Sequence, residues 1–183
     1  PFHTSANNQD IVNELSGCNT IQEALSRTDF FNGRYVMILA DENSQYIIND
    51  ATASKQVFYL FKDDFFGIGS TPNIITTFIE CEKTKNQELL DYLYSDRFIN
   101  LNKSWFGTET PYKDLFMLLP NHLFDLHQKK ITRFWPVKNP PKKSIEESVR
   151  YIGDIMRGTI ESGSNRYKLH CSLTGGWDSR MML

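Results

Sequence analysis

The sequence contains no apolar run longer than a β-strand. Its densest stretch, "YVMILA" at 35–40, falls far short of the roughly 20 apolar residues a membrane span requires, so no membrane partner is expected. An excess of one charge is also missing. Twenty Lys and Arg stand against 22 Asp and Glu, a formal net charge of −2, with no basic block or basic amphipathic helix. That balance excludes the electrostatic footprint of a nucleic-acid binder. Cysteine is sparse: Cys18, Cys81 and Cys171 are odd in number, widely separated and without Cys-x-x-Cys spacing. They read as reduced thiols of a cytoplasmic protein, neither a disulfide framework nor a metal site. His3, His122, His127 and His170 are equally scattered. The opening "PFHTSANNQD" lacks the basic start and apolar h-region of a signal peptide, and because residue 1 is proline, native N-terminal sequence is expected to be missing.

With 183 residues and a 40% hydrophobic fraction, one or two domains with real cores are expected. Thr20 with Glu23 three residues on has capping-box spacing and starts a short helix over Asn19–Arg27. From Arg34 to Gly69, alternating β-rich runs and turn residues predict four successive antiparallel strands, and the apolar density of "YVMILA" predicts a strand covered on both faces. Thr71 before Pro72 caps a helix carrying Ile74, Ile75, Phe78 and Ile79, which covers the sheet. "NQELLDYLYSDRF" predicts a second helix, and "HLFDL" with "ITRFW" a hairpin around Gln128-Lys129-Lys130.

Prolines at 136, 140 and 141 with interleaved lysines mark an extended linker. Beyond it Ser144 and Glu147 form a capping box, and Ile145, Val149, Ile152, Met156 and Ile160 share one helical face. "SGSN" then reads as a turn and Tyr167–Leu173 as a strand. The order helix, strand, glycine loop, helix is that of an α/β nucleotide-binding domain.

"LTGGWDSR" carries the chemistry. Glycines let backbone N–H groups approach an anion and take up positive-φ conformations. A helix beginning near Asp178 would aim unpaired N–H groups at the same point. Thr174 and Ser179 add hydroxyl donors, and an acid beside an anion implies a bridging cation, so Asp178 is a candidate Mg²⁺ ligand. ATP with Mg²⁺ is the implied ligand. The plainer account is a tight loop with an Asp or Ser N-cap. The pattern is neither a Walker loop, having no lysine, nor a Gly-x-Ser-x-Gly nucleophile elbow.

Thr174-Gly175-Gly176-Trp177-Asp178-Ser179 resembles the Ser-Gly-Gly-x-Asp-Ser pyrophosphate loop of the ATP pyrophosphatase superfamily. The stretch from "FFNGRYVMILADENSQYIINDATASKQVFYLF" to "TPNIITTF" resembles the later part of the glutamine amidotransferase domain of glutamine-hydrolysing asparagine synthetases. "LLPNHLFDLHQKKITRFWP" resembles the close of that domain, with a Pro-Gly-His-like turn. The resemblance implies an α+β fold: an antiparallel sandwich with covering helices, of the Ntn-hydrolase or class II amidotransferase kind, over 1-135. A linker at 136-143 and the truncated start of an α/β ATP-binding domain at 144-183 would follow. It implies an ATP-dependent ligase that adenylates a carboxylate such as aspartate, releases pyrophosphate and forms an amide with nitrogen from glutamine or ammonia. By matched position, Leu173, Thr174, Gly175, Gly176, Asp178 and Ser179 would bind ATP or pyrophosphate, with Mg²⁺ on Asp178; a homodimer is left open.

The N-terminal cysteine, the upstream arginine and the Asn-Gly-Glu-like segment of that family cannot be matched here, so no glutaminase residue is assigned. Either the chain begins after the glutamine site or the domain is degenerate, as in β-lactam synthetases and lasso-peptide cyclases. The later catalytic residues would lie beyond Leu183, so this segment alone is expected to be inactive. A module serving only partner binding is the reading from another class.

Overall fold

A computed structural model of the chain describes residues 4–29, 31–62, 65–102, 107–139 and 141–180. Pro1, His3, Pro140 and Leu183, which figure in the sequence analysis, lie outside them. The fold is α+β, with two antiparallel sheets and several helices. Contacts divide the chain into two compact units, one of Gly33–Val137 and one of Pro1–Asn32 with Lys138–Leu183.

The Gly33–Val137 unit is a layered sandwich. Strands β1 (Val36–Ala40), β2 (Gln45–Asn49), β6 (His122–Asp125) and β7 (Lys130–Arg133) form one sheet in the order β1-β2-β6-β7. Strands β3 (Phe58–Lys62), β4 (Phe65–Gly69) and β5 (Leu115–Met117) form the other in the order β4-β3-β5. The four strands expected in succession are present, but as two hairpins in different sheets. Between the sheets lie Ile47, Val57, Tyr59, Leu118 and Phe124. Phe124 is fully buried, with ring centroids of Tyr59, Phe61 and Phe66 at 4.8, 5.5 and 5.9 Å.

Helix α3 (Pro72–Phe78) lies on the far face of the second sheet, where Ile75 packs with Phe58, Leu60, Leu115 and Met117. Thr71 caps it, its hydroxyl accepting from Ile74 N. The approach is close: a Cβ on Gly69 would stand 3.2 Å from Ile75 Cγ1 and 3.3 Å from Thr71 O. Of the predicted stripe only Ile75 is buried; Ile74 and Phe78 are exposed. Helix α4 (Gln87–Leu93) and a wider π-helical segment, Arg97–Asn102, follow. At the Pro120-Asn121-His122 turn Asn121 has φ +64, the left-handed region that glycine and asparagine tolerate best. That conformation accounts for asparagine at the glycine-like position.

β1 corrects one expectation. Its residues alternate between exposed and half-buried, and Val36 and Ile38 remain 43% and 69% exposed, because β1 is an edge strand in this sheet. Apolar density alone does not distinguish a covered central strand from a half-covered edge.

In the other unit the N-terminal region adds α1 (Asn8–Ser16), which was not anticipated. Its signal is Asn7 with Asp10: Asn7 Oδ1 accepts from Gln9 N and Asp10 N, and Asp10 accepts from Asn7 N. Helix α2 (Ile21–Thr28) begins at the predicted cap, with Glu23 N donating to Thr20 Oγ1, although the Glu23 carboxylate receives Asn19 N and not Thr20 N. Ser144 and Glu147 form the predicted reciprocal capping box of α5 (Ile145–Arg166).

α5 overturns the "SGSN" turn, for it continues to Arg166. Ser164 Oγ donates to Glu161 O and Arg166 braces the Ser162 carbonyl and hydroxyl, so polar side chains that could have broken the helix bond back onto it. Its last turn is tied to the N-terminal segment: Arg166 donates to Asn8 Oδ1, Asn165 to Thr4 O, and Asn8 to the Tyr167 hydroxyl. Ile145, Val149 and Ile152 of the predicted stripe are exposed.

Candidate functional site

Tyr167–Leu173, expected as the strand that delivers the glycine loop, is not a strand. Its residues are exposed and pair with no described strand. An isolated extended segment gains no ladder bonds, so its alternation of Leu169, Cys171 and Leu173 with polar residues has no sheet face on which to act.

The loop itself is ordered by its hydroxyls. Thr174 Oγ1 and Ser179 Oγ are 2.8 Å apart, and Thr174 N donates to Ser179 Oγ at 3.0 Å. Gly176 N donates to Thr174 Oγ1 at 3.3 Å, and Ser179 Oγ lies 3.3 Å from Gly176 O. The structure therefore brings Thr174, Gly176 and Ser179 together across the start of α6 (Trp177–Arg180). Leu173 and Trp177 are exposed beside them, at 64% and 82%.

Two details depart from expectation. Neither Gly175 nor Gly176 has a positive φ, so left-handed backbone is not the reason for glycine here. Nor does crowding require it: a Cβ on Gly175 would meet no atom within 4 Å, so the backbone there lies open on that side. Asp178, in the first turn of α6, has no hydrogen-bond or ion-pair partner among the described residues, and no cluster of three or more His, Cys, Asp or Glu among them could hold a metal. Asp178 is thus a single free carboxylate, able to supply one ligand to a cation whose other ligands come from elsewhere.

The cysteines are all free. Cys18 and Cys81 are half-buried, with Sγ at 3.5 Å from Glu14 O and Ile79 O, and Cys171 is exposed.

A second polar cluster, not singled out in the sequence, lies where the β1–β2 and β6–β7 turns meet. An open hollow of about 390 Å³ is lined by 40–45, Leu126 and His127. Asp41 Oδ1 accepts from Asn43 N and Ser44 N, and these backbone donors hold its carboxyl below the usual range. For Asp125, burial pushes upward, but the Gln128 backbone N–H, the Ser44 hydroxyl and His127 outweigh it and the net direction is down. Burial, then the neighbouring Asp41, pushes the Tyr46 phenol up. The donors that depress both acids are local turn groups, so the cluster stitches two turns together; its sequence signal was the Asp41 to Ser44 turn spacing.

The described fold defines a class: a two-sheet antiparallel α+β sandwich, with a capped long helix and a hydroxyl-lined glycine loop in the other unit. Compared with family models and with curated proteins, the chain matches none. No described helix is long and apolar enough to cross a membrane.

Proposed function

We propose that this chain is part of an asparagine synthetase-like, ATP-dependent amide-forming ligase of the cytoplasm. Residues 1-135 would be the amidotransferase-like domain of Ntn-hydrolase kind, and 144-183 the beginning of the ATP-binding domain. The observation that carries this reading is the convergence of Thr174, Gly176 and Ser179 around a 2.8 Å hydroxyl pair, beside an unpartnered carboxylate and an open glycine backbone.

These residues fit Mg·ATP by donor chemistry. Thr174 and Ser179 hydroxyls, each now serving the other, can turn their protons to phosphate oxygens, and the open side of Gly175 admits an anion to the backbone. Asp178 would supply a carboxylate to Mg²⁺, and the charge it helps to hold would favour departure of pyrophosphate. ATP, when bound, supplies the phosphoanhydride whose cleavage activates a carboxylate such as aspartate for attack by ammonia, free or released from glutamine. The support rests on the hydroxyls and not on a helix dipole, since the described part of α6 is four residues long.

The test is pyrophosphate release by the intact protein with aspartate and ammonia or glutamine. Asp178→Ala is expected to lower the rate by at least ~100-fold with the fold unchanged. An unaltered rate would make the loop a structural turn and end this reading. Release with another carboxylate acceptor, and not with aspartate, would favour a related second reading. A β-lactam synthetase-like or lasso-peptide-cyclase-like ligase, which adenylates a carboxylate without glutamine, would release pyrophosphate with its own acceptor and not with aspartate.

A further inference from the structure

The outer edge of β1 has the features of a pairing surface, and its register identifies the partner. Asp50 N donates to Tyr35 O at 3.0 Å, and Asp41 N to Ser44 O at 3.0 Å. Tyr35 and Asp41 therefore turn their backbone groups toward β2 and its turn. Because successive residues alternate, Val36, Ile38 and Ala40 turn their N–H and C=O groups to the unpaired side. No proline, glycine or charge interrupts the strand, the devices by which edges usually avoid association. Ile38 stands opposite Ile47, a residue of the inter-sheet core, so the exposed Val36 and Ile38 extend the core-facing surface past its cover.

We propose that β1 pairs antiparallel with β1 of a second copy of this chain, about a twofold axis at Ile38. In that register Val36 faces the second copy's Ala40 and Ile38 faces itself, and every outward-turned backbone group of the strand finds a partner. The flanking charges select the same register. Arg34, just before the strand, comes to the end where the second copy's Glu42 lies, and symmetry repeats the pair at the other end. Both residues are exposed; Arg34 makes only a 3.5 Å contact with Ser54 O, and Glu42 has no hydrogen bond or ion pair among the described residues. A register moved by two residues, the smallest slip that keeps the outward backbone groups facing each other, sets Arg34 against Ala40, or Val36 against Glu42, and loses both the charge match and part of the ladder. In the other sheet the edge strand β4 carries Gly67 and Gly69, which weaken a strand as a template.

Sedimentation equilibrium of the 183-residue chain tests this independently of any ligase activity. A concentration-dependent dimer is expected. Ile38→Lys should raise its dissociation constant by at least ~10-fold by placing like charges on the axis. Arg34→Glu and Glu42→Arg should each weaken it by roughly 3-fold or more, and the double reversal should restore it toward the parent value. These two positions are exposed, so the charge cycle decides the matter even if Ile38→Lys fails to fold. A chain monomeric at about 200 μM, a dimer indifferent to Ile38→Lys, or a double reversal no tighter than the single variants would overturn the proposal.

Discussion

Replacing Asp50 by asparagine isolates a buried acid whose whole environment is donated by the loop after β2. Asp50 is 2% exposed; its Oδ1 accepts from Thr52 N at 3.3 Å, Thr52 Oγ1 at 2.9 Å and Ser54 N at 2.9 Å, and its Oδ2 accepts Lys55 N at 2.9 Å. Burial pushes this carboxyl upward, but the donors of Lys55, Ser54 and Thr52 outweigh it and hold it below the usual value. Asparagine keeps one acceptor oxygen and turns an NH₂ donor toward N–H groups. Each charge-assisted bond is worth roughly 1.5–3 kcal/mol when its partner stays buried. Most of 51–56 is exposed, so water re-solvates freed donors and screening reduces the sum to about 2–3 kcal/mol.

At a urea m-value of about 2 kcal/mol/M, that loss lowers the unfolding midpoint by about 1–1.5 M. The assay is urea denaturation followed by near-ultraviolet circular dichroism, which reports the cluster of Tyr59, Phe61 and Phe124 in the same unit. The pH dependence has a definite sign. A carboxyl whose folded pKa is depressed contributes stability above its unfolded value, about 3.9, and loses it as pH falls through the lower folded value. The parent and Asp50→Asn midpoints should therefore differ most at neutral pH and converge in acid. A variant within about 0.5 kcal/mol of the parent at pH 7, with an unchanged acid limb, would refute the reasoning.

Phe124→Ala, which empties the centre of the inter-sheet core, should cost about 3–5 kcal/mol in the same denaturation experiment. Ser144→Ala removes the cap from α5 and should cost about 1 kcal/mol, read as fraying of the first helical turn by amide hydrogen exchange, while the sandwich amides stay protected.

Legibility followed the range of the interaction. The caps at Thr20, Thr71 and Ser144 were readable because each joins residues three positions apart, and the β6–β7 hairpin because its turn lies between two short apolar runs. The Asn7 cap of α1 carried the same kind of signal, Asn7 with Asp10, in a segment whose apolar residues are few. In the glycine loop the residue types and their spacing were legible, whereas the 2.8 Å Thr174–Ser179 pair and the absence of positive φ at both glycines were not. Hydroxyl direction and backbone dihedrals depend on atoms that a motif does not specify.

By itself the sequence determined local matters: where helices begin, which runs can be strands, and that a hydroxyl-rich glycine loop with one acid follows Leu173. Only the tertiary structure decided that the first four strands divide between two sheets, that β1 is an edge, and that Tyr167–Leu173 forms no strand. The physical reason is common to all three. A helix satisfies its backbone within its own segment, so its limits are written in nearby residues, whereas a strand is completed by a neighbour whose identity lies elsewhere in the chain.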